Sequence, residues 1–143
     1  MKIKEIELLK FGSLTTDLEE KEINKNSPTG YFLYPTKLTF INELDKLQGF
    51  KGLKFGIEYV VKGHTTAKND IAFFSCRILH PELTNPDTNE KFSETVETKN
   101  NYLNDTNFDY LFFEFDWEIE TGTYTFQIIE SDTILFEKSF DIF

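Results

Sequence analysis

The sequence predicts an all-β chain: an antiparallel β-sandwich of seven or eight strands, forming a single domain over residues 1–143. Three observations predict it. Apolar and polar residues alternate in several short runs, which is the period of a half-buried strand. Turn chemistry separates those runs, and no stretch carries the periodicity of a helix of ordinary length. Sixteen phenylalanines, six tyrosines and one tryptophan supply the aromatic area that fills the gap between two packed sheets.

Residues 2–11 predict an opening strand. Ile3, Ile6, Leu8 and Leu9 alternate only roughly there, as an edge position or a β-bulge permits. Residues 12–30 are polar and end in Asn26-Ser27-Pro28-Thr29-Gly30, which predicts a surface loop. A helix over residues 17–23 is the alternative, with a thin stripe of Leu14, Leu18 and Ile23. Residues 38–41 are β-prone, and residues 44–49 read as a helical turn or a loop. Residues 54–62 make a strong strand with Phe55, Ile57, Tyr59 and Val61 on one face. A polar connection follows over residues 63–70. Residues 71–79 are apolar on both parities, which predicts a central strand covered on both sides. Asn85-Pro86-Asp87-Thr88 has the chemistry of a type I turn, with proline at its second position. Residues 92–99 alternate weakly, as an edge strand does, and residues 100–107 form a polar loop.

Residues 108–143 predict a three-stranded meander. Leu111, Phe113, Phe115, Trp117 and Ile119 share one face of its first strand, and Glu114, Asp116, Glu118 and Glu120 share the other. Tyr124, Phe126 and Ile128 mark the second strand; Ile134, Phe136, Phe140 and Ile142 mark the third. Thr121-Gly122 and Ser131-Asp132 supply the turns.

The net charge is −10. Residues 105–143 hold ten acids and only Lys138, whereas residues 1–104 hold fifteen acids and fourteen bases. Such a chain is a poor partner for nucleic acid or an anionic membrane, because like charges repel and no counterions are released. A basic protein partner is the expectation instead. Cys76 is the sole cysteine, so no intrachain disulfide forms and nothing points to an oxidising compartment. The first residues alternate charge with apolar side chains, unlike a signal peptide, and no run reaches membrane-spanning length. If Met1 is the native start, a cytoplasmic protein is expected.

Several patches together resemble the bacterial family of domain of unknown function 3859. They are Lys54-Phe55-Gly56-Ile57-Glu58-Tyr59 with Gly63, Arg77-Ile78-Leu79-His80-Pro81, and Leu83-Thr84-Asn85-Pro86-Asp87-Thr88. Phe115-Asp116-Trp117-Glu118, the run from Gly122 to Ile128, and Lys138-Ser139-Phe140 complete the set. Tyr124 stands where the family pattern has tryptophan, and Asn89 where it has glycine. The resemblance implies an immunoglobulin-like sandwich and no assigned activity.

The acidic row Glu114, Asp116, Glu118 and Glu120 is the principal candidate site. Carboxylates two apart on a strand lie about 6.5–7 Å from one another, which overlaps the separations used in glycoside hydrolysis. The row reads as a solvated outer face, as a docking face for a basic partner, or as carboxylates of a carbohydrate-acting or carbohydrate-binding domain. The last of these requires a concave cleft flanked by Tyr110 and Phe112. The expectation is a non-enzymatic protein-binding or accessory module. Asn85, Asp87, Asn89 and Glu90 are a loose calcium candidate, although Glu90 and Val96 break the EF-hand pattern. His64 and His80 have no zinc spacing. Cys76 and His80 are no nucleophile pair, since four residues along a strand separate their α-carbons by about 13 Å. Cys76 is expected to be buried and inert, and His80 to cap its strand by hydrogen bonding. Arg77 is expected to pair with a carboxylate across the sheet, and Trp117 to pack in the core. No phosphate loop, nucleophile elbow or cofactor motif is present.

Overall fold

The computed structural model describes residues 2–64 and 70–143, so most of the connection expected over residues 63–70 lies outside the described residues. Among them, eleven strands form: β1 (Ile3–Thr16), β2 (Glu19–Ile23), β3 (Tyr31–Pro35), β4 (Leu38–Phe40), β5 (Lys46–Leu47) and β6 (Lys54–Gly63) in the first part. β7 (Ile71–Thr84), β8 (Lys91–Tyr102), β9 (Thr106–Phe112), β10 (Gly122–Glu130) and β11 (Thr133–Ile142) follow. The excess over seven or eight comes from short strands in stretches that carry no apolar alternation. One sheet has the order β4-β1-β6-β9, a second has β5-β11-β10-β7-β8, and β2 and β3 form a separate hairpin.

The two larger sheets face one another across an aromatic core. Phe55 of β6 is its centre: it meets Tyr124, Phe126 and Phe140 of the opposite sheet edge-on at ring-centroid distances of 5.5, 6.2 and 5.3 Å. These are the T-shaped arrangements that aromatic quadrupoles prefer. Phe55, Phe126 and Phe140 are fully buried. Gly56, next to Phe55, lets β9 approach closely, because a β-carbon there would lie 2.0 Å from the Asp109 carbonyl oxygen.

β1 carries two register shifts, between Ile3 and Glu5 and between Leu8 and Lys10, which explains its broken alternation. β4 pairs only with Leu14, Thr15 and Thr16, so most of β1 lies on an open edge. β6 and the edge position of β8 stand as expected. Ser131 and Asp132 both have positive φ (47° and 65°), the geometry of a tight hairpin turn whose twist matches its strands.

Five expectations are corrected. Residues 12–30 are not a surface loop: β1 runs to Thr16 and the β2–β3 hairpin follows. That hairpin escaped detection because β2 is exposed along almost its whole length and buries no alternating face. Residues 44–49 contain β5, which pairs in parallel with the end of β11. β7 is interior in the plane of its sheet, between β10 and β8, but Phe73 on its outer face is 70% exposed, so it is not covered on both sides. Residues 100–107 are largely strand, because β8 extends to Tyr102 and β9 begins at Thr106.

The meander is the largest correction. β9 pairs with β6, while β10 and β11 belong to the opposite sheet. Residues 113–121 carry the chain from one sheet to the other, with a 3₁₀ turn at Asp116–Glu118. The Glu118 carboxylate turns back and accepts hydrogen bonds from the backbone N–H groups of Glu114 and Phe115, at 3.1 and 3.0 Å. Such side-chain bonds compete with ladder pairing and end the strand. Among the described residues, no helix is long and apolar enough to cross a membrane.

Candidate functional site

Once the chain crosses over, the acidic row is no longer one face. Glu118 is buried at 9% exposure, while Asp116 and Glu120 are exposed. Glu114 accepts a hydrogen bond from the Tyr31 hydroxyl. Trp117 leaves the deep core, is partly exposed, and stacks on the exposed Phe115 ring at 6.1 Å. Burial, with the nearby Glu114 charge adding to it, pushes the Glu118 carboxyl up to about 7 despite the two backbone bonds that favour its charged form.

The calcium candidate is occupied by turn bonds. The Asn85 side-chain oxygen accepts from the Asp87 N–H at 2.9 Å, its amide donates to the Pro28 carbonyl at 2.9 Å, and Asn89 adopts φ 61°. The turn closes through the Asn89 N–H onto the Asn85 carbonyl at 2.8 Å, one residue longer than a type I turn. Asn89 thus takes the left-handed conformation that asparagine tolerates better than most residues. Among the described residues, no three His, Cys, Asp or Glu side chains cluster as a metal site.

His80 is buried inside β7, where burial holds its pKa below the usual range. The neutral ring donates from Nδ1 to the Pro81 carbonyl at 2.8 Å and accepts at Nε2 from the Thr95 hydroxyl at 3.0 Å. Cys76 is buried, with its thiol pushed well up by burial, so it is inert at neutral pH. Arg77 bonds the Gln127 side chain at 2.8 Å and lies 3.9 Å from Glu94 on β8.

A concavity of the described residues lies elsewhere. A cavity of about 310 Å³ opens between β7 and β8 on one side and β9 on the other, beneath the β2–β3 hairpin. That volume falls at the lower end of small-molecule sites. The geometry follows from the topology, because β8 and β9 are edge strands of different sheets joined by the short turn at residues 103–105. Ile78, Leu83, Phe32, Leu33, Phe113 and Tyr124 give it apolar walls.

Its polar groups are each paired within the fold. Lys99 of β8 reaches across to β9 and donates to the Asp109 carboxylate at 2.8 Å and the Phe108 carbonyl at 3.0 Å. Asp109 also accepts from the buried Tyr59 hydroxyl at 2.6 Å. Glu97, which shares a face with Lys99, accepts from Tyr34 of the hairpin. Burial and the Asp109 charge raise the Glu97 pKa, with Lys99 opposing them. Burial also acts to lower the Lys99 pKa, but Asp109 and Glu97 outweigh it and hold the group charged.

The hairpin is tied down at several points. Tyr31 reaches Glu114, Tyr34 reaches Glu97, and Glu19 accepts from Tyr110 and, at 2.9 Å, from Lys54. The sequence held faint signals of this site: Glu97 and Lys99 fall on one parity, and an aromatic run follows Pro28-Thr29-Gly30. Nothing in the alternation said that this parity faces a cavity.

The family profile described as "Domain of unknown function (DUF3859)" matches residues 17–142. The chain belongs to this family. Gly56 and Gly122 stand where a β-carbon would meet Asp109 and Tyr110 or Pro81, and a tight turn follows Leu83. Among solved structures, an immunoglobulin-like protein from Pseudomonas aeruginosa aligns with a TM-score of 0.62. The alignment covers 98% of each chain at 17% identity, a likeness of fold alone. The chain is therefore all-β and immunoglobulin-like. No curated protein matches it at a significant level.

Proposed function

We propose that this chain is a non-enzymatic binding module, an immunoglobulin-like sandwich whose ligand is a small, largely apolar molecule held beneath the β2–β3 hairpin. The cavity of about 310 Å³ carries this reading. It is concave, mostly apolar, and positioned by rigid strands from both sheets, as ligand sites generally are. The state of its polar groups favours binding over catalysis. Asp109, Glu97, Glu114 and Glu118 each accept a hydrogen bond from a protein group.

Docking of a basic partner on Glu114, Asp116, Glu118 and Glu120 has lost its geometric support. Two of the four side chains are engaged within the fold, which leaves Asp116 and Glu120 as exposed charges of modest reach. A carbohydrate ligand is the second reading, favoured by Tyr110 and Phe112, which both line the concavity. It ranks lower because sugar hydroxyls need many hydrogen-bond partners, and the polar side chains here are already satisfied by one another.

The test is titration with N-phenylnaphthylamine, a neutral apolar fluorophore. Saturable enhancement at one site, lost in Leu33→Trp with the fold intact, is the expected result. Leu33 lines the cavity from the exposed hairpin, so the larger ring fills the space with little strain on the core. Enhancement that is absent, or indifferent to Leu33→Trp, overturns the reading. Binding of neutral sugars instead establishes the second one.

A further inference from the structure

We infer that the ligand of this cavity carries a positive charge: an organic amine whose apolar body lies against the walls and whose ammonium group sits beside Glu97. The inference rests on the cavity being a ligand site and adds the chemical class. Four carboxylates line the cavity: Glu97, Asp109, Glu114 and Glu118. Among the described residues, Lys99 is the one lysine or arginine that lines it. Its ammonium is engaged by Asp109 at 2.8 Å and by the Phe108 carbonyl at 3.0 Å. Lys99 and Asp109 are both largely buried, with side chains 18% and 5% exposed, so this pair is a fixed part of the fold.

Glu97 stands beside this pair, where burial and the Asp109 charge raise its pKa and Lys99 only partly offsets them. Its hydrogen-bond donor is the neutral Tyr34 hydroxyl, and Glu114 likewise accepts from Tyr31. Glu118 is held only by backbone N–H groups, and because burial pushes its carboxyl up to about 7 it carries only part of a charge at neutral pH. His80, the other titratable base on the wall, is kept neutral by burial. Cys76 and the tyrosines at positions 31, 34, 59, 110 and 124 are neutral too, so none of them balances the excess. A site with an apolar lining and more carboxyl groups than cations favours cations over anions, and an ammonium beside Glu97 would stabilise the charged form that burial and Asp109 disfavour. The walls add aromatic faces from Phe32, Tyr34 and Tyr110, surfaces on which organic cations are also held.

The experiment is competition against bound N-phenylnaphthylamine by three ligands of one shape: naphthylmethylamine, naphthylmethanol and naphthoate. At neutral pH the amine is expected to displace the dye at about tenfold lower concentration than the alcohol, the scale of one charge-assisted hydrogen bond. The carboxylate is expected to be weakest. Glu97→Gln, which keeps an acceptor for Tyr34, is expected to remove most of the amine's advantage while leaving the alcohol unchanged. If the dye binds but the amine is no better than the alcohol, or its advantage survives Glu97→Gln, the charge assignment is overturned and the cavity reading stands. If neither the dye nor any of the three ligands binds, both are overturned.

Discussion

Replacing Glu118 with glutamine changes the pH dependence of stability in a direction the structure dictates. Glu118 is 9% exposed, and its carboxyl is raised from an ordinary 4.5 to about 7, mainly by burial. Between those values the folded chain holds a proton that the unfolded chain has released. Stability from this group is therefore complete below about pH 4.5 and is lost as pH rises through about 7. At 1.36 kcal/mol for each pH unit, the ionised group weakens the fold by about 3 kcal/mol relative to the protonated one. Glutamine stays neutral at every pH, and its amide oxygen accepts the same two backbone bonds. Urea unfolding of both proteins across this range measures the difference directly. Relative to Glu118→Gln, the native protein is expected to lose about 3 kcal/mol between about pH 4 and pH 8. In thermal unfolding the same loss is roughly 10 °C for a chain of this size. Stability curves that run parallel across the whole range would refute the buried, turn-forming placement of Glu118.

Two further outcomes test the site's frame. Lys99→Met leaves Asp109 buried beside Glu97 without its cation and is expected to cost about 3 kcal/mol or more in chemical denaturation. Adding Asp109→Asn should recover at least half of that loss; no recovery would mean that the pair is not the cause. Gly56→Ala places a methyl group 2.0 Å from the Asp109 carbonyl oxygen and 2.6 Å from the Tyr110 α-carbon, both backbone atoms. The β6–β9 ladder must part to admit it, with an expected loss of about 3 kcal/mol and weaker dye binding. A variant of native stability would show that the two strands are not in this register.

The carboxylate row shows where inference from alternation stops. Residues 111–119 have the parity of a strand, and Phe113 is buried as that parity requires. Past Phe113 the same pattern is used otherwise, since Glu118 bonds back to the chain and Trp117 stacks on Phe115. Period-two patterning reports which side chains alternate, and it is silent on whether the backbone remains paired. The β2–β3 hairpin failed in the opposite way: it is genuinely strand, but it buries no face, so it left no apolar signature.

What the residues determined alone is what depends on neighbours in the chain. The all-β class, the strand around Phe55, Ile57, Tyr59 and Val61, the turn at Ser131-Asp132 and the inert Cys76 all follow from local pattern and side-chain chemistry. Those features are set by steric preference and by the need to bury apolar area, both carried within a few residues. The tertiary structure decided which strands pair, and so placed β9 in one sheet and β10 in the other. It thereby brought Glu97, Lys99 and Asp109 from two different sheet edges to one cavity wall under a hairpin remote in sequence. That choice rests on packing between distant segments, where aromatic rings from both sheets close around Phe55, and no stretch of sequence carries that information by itself.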